Sequence, residues 1–106
     1  MIRLRNQKDF QRVRRAGRAW AHPLLVLNAC RNDQPHTRVG VITGKSVGKA
    51  VTRNRAKRLL REAVRVRLDA IQPGWDIVLI ARRGIVGCRI QQVQAALDEL
   101  LLRSNL

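Results

Sequence analysis

The segment Gln72-Pro73-Gly74-Trp75-Asp76-Ile77-Val78-Leu79-Ile80-Ala81 decides what kind of fold this chain can adopt. Pro73 lacks a backbone N–H and Gly74 tolerates left-handed backbone, so the pair stops any helix arriving from upstream. The apolar run that follows is rich in β-branched side chains and has the length of a strand. Its apolar residues do not alternate with polar ones, so both faces need cover. The segment is expected to lie centrally in a sheet.

Upstream of it, the chain reads as helix from about Val51 to Leu68. Wound at about 100° per residue, Ala56, Leu59, Leu60, Ala63 and Val66 fall in one arc expected to face the sheet. Further upstream, Leu24–Cys30 and Arg38–Thr43 read as strands, with turn chemistry in Asn32-Asp33-Gln34-Pro35-His36 between them. Two strands joined by a short polar loop predict an antiparallel hairpin. Asn6 is placed to cap a short first helix in which Phe10 and Val13 share a face, ending near Gly17. Downstream of Arg82-Arg83-Gly84, a last helix carries Ile90, Val93, Leu97, Leu100 and Leu101 on one side. With no repeat, linker or low-complexity tract, residues 1–106 are expected to form one α+β domain, its helices packed on one face of a small sheet.

Composition narrows the partners. Lys and Arg total 22 against 7 Asp and Glu, a formal net charge of +15 on 106 residues, yet 45% of the chain is hydrophobic. That apolar fraction excludes a disordered polycation. Eighteen of the basic residues are Arg, whose planar fork suits phosphate and stacks on bases, which favours nucleic acid as the partner. Cys30 and Cys88 lack CxxC or metal-ligand spacing and read as small buried residues of a reducing compartment. His22 and His36 are equally isolated. No apolar run nears the ~20 residues of a membrane span, and the N-terminus lacks the apolar core of a secretory signal, so the cytoplasm is the expected location.

The charge concentrates in the helix of residues 51–68 and the loop before it. Arg53, Lys57 and Arg61 form one i, i+4 row, and Asn54, Arg58, Arg61 and Arg65 form its neighbour, both on the arc away from the apolar one. Like charges at this spacing each cost about 0.2–0.5 kcal/mol. Only Glu62 is acidic between Lys45 and Arg67, so a merely solvated face is the poorer reading. Nor does this helix carry the aromatic face of a membrane-surface helix. The rows are expected to lie along a phosphate backbone, with Asn54 at a sugar or base edge and Gly44 and Gly48 allowing close backbone approach. Without a helix-turn-helix or zinc pattern, sequence-specific DNA reading has no support.

The run Gly48-Lys-Ala-Val-Thr-Arg53-Asn54-Arg55-Ala-Lys57-Arg58-Leu-Leu-Arg61-Glu62-Ala63 resembles the "RNR" signature of the bacterial ribonuclease P protein family. Leu4…Asp9-Phe10-Gln11…Val13…Gly17, Arg38-Val-Gly-Val and Gly74…Asp76-Ile-Val…Ala81-Arg82 fall where that family has them, so the resemblance spans the chain. It implies a two-layer αβββαβα-like sandwich with a four-stranded sheet and a left-handed βαβ crossover, a fold shared with a ribosomal-protein domain. It also implies a subunit that binds the catalytic RNA and the 5′ leader of precursor tRNA, helping the RNA remove that leader. On this resemblance, Lys45, Lys49, Arg53, Asn54, Arg55, Lys57, Arg58, Arg61 and Arg65 face the RNA subunit, while Phe10, Arg14 and Lys45 face the leader. Arg14 and Asn28 stand where relatives carry aromatics. Arg12, Arg15 and Arg18 join Arg14 in a second basic cluster assigned to the leader strand.

Protein-side catalysis is not expected. Asp9, Asp33, Glu62, Asp69, Asp76, Asp98 and Glu99 are scattered over the elements, and no nucleophile–base spacing is present. Of these only Asp76, at a strand start, stands apart from surface charge or capping. Magnesium is expected through the RNA, none through the protein. A structural protein of ribosomal RNA is the alternative reading.

Overall fold

The structure, a computed structural model, describes residues 1–106. The elements in chain order are β1 (Ile2–Arg3), α1 (Gln7–Ala16), β2 (Arg18–Ala21), β3 (Leu25–Arg31), β4 (Arg38–Ile42), α2 (Ala50–Arg65), β5 (Trp75–Ala81) and α3 (Ile90–Ser104). They form the α+β fold expected, with five strands in the order β1-β4-β5-β3-β2. The fifth strand is β1, two residues long and parallel to β4, too short to leave a periodic signal.

β5 lies centrally, as its composition requires, and Asp76 to Leu79 are all buried. Its neighbours correct the expected hairpin. β3 and β4 do not pair with each other; β5 enters between them, antiparallel to β3 and parallel to β4. A strand apolar on both faces is stabilised most between two neighbours, and that outweighs the short loop joining β3 to β4. The actual hairpin joins β2 to β3, with Trp20 opposite Leu27.

The helices divide between the two faces rather than sharing one. Leu25, Leu27 and Ala29 of β3, Val39 of β4, and Ile77, Leu79 and Ala81 of β5 point to one face. There α2 and α3 complete a cluster of 19 buried residues. The alternate residues point the other way, where Leu4, Val13 and Val78 form a smaller cluster with Phe10, Cys30, Ile42 and Ile80 against it. This second face belongs to α1 alone, so the sheet has helices on both sides. Asn6 caps α1 as expected, its Oδ1 accepting from the Lys8 N–H at 2.8 Å. In α2 the buried residues are Ala56, Leu60, Ala63 and Val64. Val66 is exposed instead of inward, because regular helix ends at Arg65 and the arc turns toward Val64.

Where β4 passes beneath α1 it must be glycine. A Cβ on Gly40 would lie 2.4 Å from Cε1 of Phe10 and 3.1 Å from Cβ of Leu4. The ring therefore rests directly on the backbone of the sheet.

Asp76 is the polar exception in the core. It has no exposed surface, and its register partners are Arg38 on β4 and Cys30 on β3. Its Oδ1 accepts from Arg38 Nε at 2.8 Å and Asn32 Nδ2 at 2.9 Å; its Oδ2 accepts from Arg38 Nη2 at 2.6 Å and from Arg12 Nη2 of α1. Burial works to raise its pKa, but the hydrogen bonds from Arg38, Asn32 and Arg12 prevail and hold the carboxyl below its ordinary value. Removing one partner of such a buried pair typically costs about 3–5 kcal/mol.

Two outcomes follow. Gly40→Val should lower the unfolding free energy in urea by about 1–3 kcal/mol through forced displacement of Phe10. Because the Asp76 pKa is depressed in the folded state, its contribution is complete above the unfolded carboxylate pKa, about 4, and is lost as pH falls through the folded value. Urea melts at descending pH should show this acid limb in the parent chain and a shallower one in Asp76→Asn.

Candidate nucleic-acid interface

The loop after β4 sets the approach to α2. Lys45–Val47 forms a short 3-10 turn anchored by buried Val47, and Gly48 follows with φ +135°, a backbone conformation that favours glycine. Lys49 occupies the N-cap of α2 without a side-chain cap, and the first turn holds no acidic residue. Uncapped N–H groups and two exposed lysines, Lys45 and Lys49, thus share one end of the helix.

Along α2 the expected site residues separate by surroundings. Arg53, Lys57 and Arg61 are half-buried and border the apolar stripe, rather than lying opposite it as the helical projection suggested. Asn54 and Arg58 are exposed. No ion pair engages Arg53, Lys57, Arg58 or Arg61. Arg55 leans the other way and donates from Nη2 to the Cys88 carbonyl at 3.3 Å, tying α2 to the segment before α3. Arg65 is paired along the helix with Glu62 at 2.7 Å, and Arg67 with Asp98 of α3 at 2.8 Å. The basic block is therefore free toward its N-terminal and middle turns and neutralised at its C-terminal end.

A cleft of about 410 Å³ opens beside α1. Gln7, Phe10, Gln11 and Arg14 line it at i, i+3, i+4 and i+7, so they share one helix face. Val41, Ile42 and Thr43 supply its β4 side, Arg5 lies on the link into α1, and Lys57 reaches in from α2. Lys57, read from sequence as one of the RNA-subunit residues, thus stands in the same cleft as Phe10 and Arg14. Lys45 is not among the residues lining it. A second shallow depression shares Gln11 and Arg14 and adds Arg15, extending the basic track along α1.

Several residues of the second basic cluster have other work. Arg12 is drawn to Asp76, and Arg18 lies over the Trp20 ring at 5.4 Å. Asn28 is buried on the α1 side of β3, its Oδ1 without a hydrogen-bond partner, and does not line the cleft. Gln7, Gln11 and Thr43 were missed in sequence. The helical spacing of the two glutamines around Phe10 was the available signal, whereas Thr43 joins them only through the sheet.

No three His, Cys, Asp or Glu side chains come together to hold a metal ion. His22 is bound at Nε2 to Glu99 at 3.1 Å, while its Nδ1 accepts from the Leu24 N–H at 3.0 Å. No helix is long and apolar enough to cross a membrane.

Comparison with known proteins gives a consistent answer. The family model described as Ribonuclease P matches residues 1–105. The ribonuclease P protein component of Herpetosiphon aurantiacus is 46% identical over 104 residues, covering 98% of this chain and 85% of the relative. That of Clostridioides difficile is 36% identical over 104 residues, covering 97% and 91%. Among solved structures, the Staphylococcus aureus RNase P protein superposes with a TM-score of 0.88 at 32% identity, covering 98% of this chain and 95% of that one. The Thermotoga maritima RNase P protein gives 0.86 at 30% identity, covering 97% of each. Sequence and fold agree along nearly the whole chain, which belongs to the ribonuclease P protein family and is the protein subunit of that tRNA-processing endoribonuclease.

Proposed function

We propose that this subunit works by two adjoining surfaces, one for the catalytic RNA of ribonuclease P and one for the 5′ leader of precursor tRNA. The carrying observation is the shared position of Lys57: it belongs to the basic rows of α2 and lines the cleft that holds Phe10 and Arg14. An RNA on α2 and a single strand in the cleft would then lie side by side. Family membership removes the alternative of a structural ribosomal protein.

The RNA surface comprises Lys45, Lys49, Arg53, Asn54, Lys57, Arg58 and Arg61, with Arg55 and Arg65 as lesser contributors because each already has an intramolecular partner. Phosphate neutralisation by this set makes binding strongly salt-dependent. At about 6–10 contacts, affinity falls by roughly 10³–10⁵ between 50 and 200 mM salt. The leader surface comprises Phe10, Arg14 and Lys57, with Lys45 at its approach. A base stacked on an aromatic ring contributes about 1–3 kcal/mol whatever its identity, which suits a leader of variable sequence. Arg14 replaces a second aromatic and offers a guanidinium plane for stacking together with a charge for phosphate.

Bond cleavage belongs to the RNA in this reading, and magnesium to the RNA as well. The protein supplies charge neutralisation and placement of the leader, which shortens the search for the reactive geometry. Its working location is the cytoplasm, with the RNA and the precursor.

Reconstituted cleavage of precursor tRNA by the partner RNA, with and without this chain, tests the proposal. Stimulation at low magnesium supports it, and indifference to the chain rejects it. Arg58→Ala combined with Arg61→Ala should weaken binding to the catalytic RNA at least tenfold and reduce the salt slope by about one per lost contact, with circular dichroism unchanged. Phe10→Ala should weaken binding of leader-bearing precursor by about 1–3 kcal/mol while leaving mature tRNA untouched. Equal losses on both substrates would remove the cleft from the mechanism.

A further inference from the structure

α1 carries the leader-facing residues, and it packs over the smaller of the two buried apolar clusters. Its face of the sheet holds only three buried apolar residues, Leu4, Val13 and Val78, against 19 on the opposite face. Apolar contact is non-directional, so a patch this small resists lifting of the helix better than it resists rolling. On the helical wheel, Phe10 and Arg14 lie on one flank of α1, and Arg12 lies about 200° from Phe10 on the other. Arg12 is the residue tied down. It donates to the carboxylate of Asp76, to the Arg31 carbonyl at 3.4 Å and to Cys30 Sγ at 3.3 Å. Asp9, one turn earlier, faces the same arginines, 3.7 Å from Arg12 and 3.6 Å from Arg38. Asp76 itself is fixed by Arg38 and Asn32, so the anchor belongs to the sheet and not to α1.

We infer that Asp76 is a positioning residue for the leader cleft. Through Arg12 it sets the roll of α1 over the sheet, and so the placement of Phe10 against Gly40 and of Arg14 at the cleft. It has no exposed surface and therefore cannot touch RNA; its effect on leader binding is transmitted through the helix. This inference rests on the cleft being the leader site.

The test measures affinities of the reconstituted ribonucleoprotein for leader-bearing precursor and for mature tRNA, together with affinity of the protein for the catalytic RNA. Arg12→Gln leaves Asp76 paired with Arg38 and Asn32, which keeps the core satisfied. It should weaken precursor binding about fivefold to tenfold, with mature tRNA and catalytic-RNA binding unchanged within twofold. Asp76→Asn should show the same pattern, and the double variant should be no worse than the stronger single. In a background lacking both positioned side chains, Phe10→Ala with Arg14→Ala, Arg12→Gln should cost less than a further twofold, because the residues it positions are gone.

A loss on Arg12→Gln that is fully additive with the Phe10→Ala, Arg14→Ala pair would overturn the inference and make Arg12 a direct phosphate contact. Loss in Arg12→Gln without loss in a folded Asp76→Asn would do the same. Equal weakening of mature tRNA would reduce the tie to general stability and also overturn it. If Phe10→Ala alone leaves precursor affinity intact, the cleft assignment fails, a result distinct from failure of the clamp.

Discussion

β5 must be covered on both faces and paired along both edges, and the other elements are arranged around that requirement. Four consecutive residues from Asp76 to Leu79 are buried, with Ile77 and Leu79 pointing to one layer and Val78 to the other. Fully burying each such side chain contributes about 1.5–3 kcal/mol, so leaving either face open would cost several side chains at once. β3 and β4 are consequently parted to flank it. α2 and α3 cover one face and α1 the other. The cleft is a by-product of this division: α1 is too short to cover its face fully, and the uncovered margin beside β4 becomes the groove.

Charge follows the same division. Four of the seven acidic residues are engaged in ion pairs with arginine, Asp9, Glu62, Asp76 and Asp98, and Glu99 lies 3.1 Å from Nε2 of His22. These pairs hold α1 to the sheet, α2 to α3, and the β2–β3 connection to α3. Hydrogen bonds from Arg67, and to a lesser degree from Gln94, keep the Asp98 carboxyl below its ordinary value against the effect of burial. Such internal use leaves the N-terminal and middle turns of α2 and the cleft flank of α1 without counter-charge. Self-repulsion there disfavours the free state and is relieved when a polyanion binds. The net charge of +15 is thus the excess of Lys and Arg over the carboxylates available to neutralise them.

The motif that names the family splits in three dimensions. Arg53 borders the apolar stripe on the side of Lys57, Asn54 faces out, and Arg55 is held to the Cys88 carbonyl. Three consecutive residues of a helix point in directions about 100° apart, so a signature contiguous in sequence cannot be a contiguous surface. Arg53 is instead followed along the helix by Lys57 and Arg61, and Lys57 lines one cleft with Phe10 and Arg14, more than 40 residues earlier in the chain.

Local chemistry was legible from the residues alone. The helix stop at Pro73-Gly74, the cap at Asn6, the apolar arc of Ala56, Leu60 and Ala63, the central character of Trp75–Ala81 and the acid-poor basic rows all follow from spacing and composition. Each depends on interactions within a few residues. Strand partnership does not: β3 and β4 look like a hairpin until β5, more than thirty residues later, offers each a better edge. β1 and β2 are too short for a period, and which face α1 takes is set by the alternate residues of three strands together. The roles of Arg12, Arg65 and Arg67 were likewise hidden, because an arginine's pairing depends on which carboxylate the fold brings near it. Sequence by itself determined the three helices, the three longer strands, the charge and the family. Tertiary structure alone decided which arginines remain free for RNA and where the cleft opens, since both depend on contacts between residues distant in the chain.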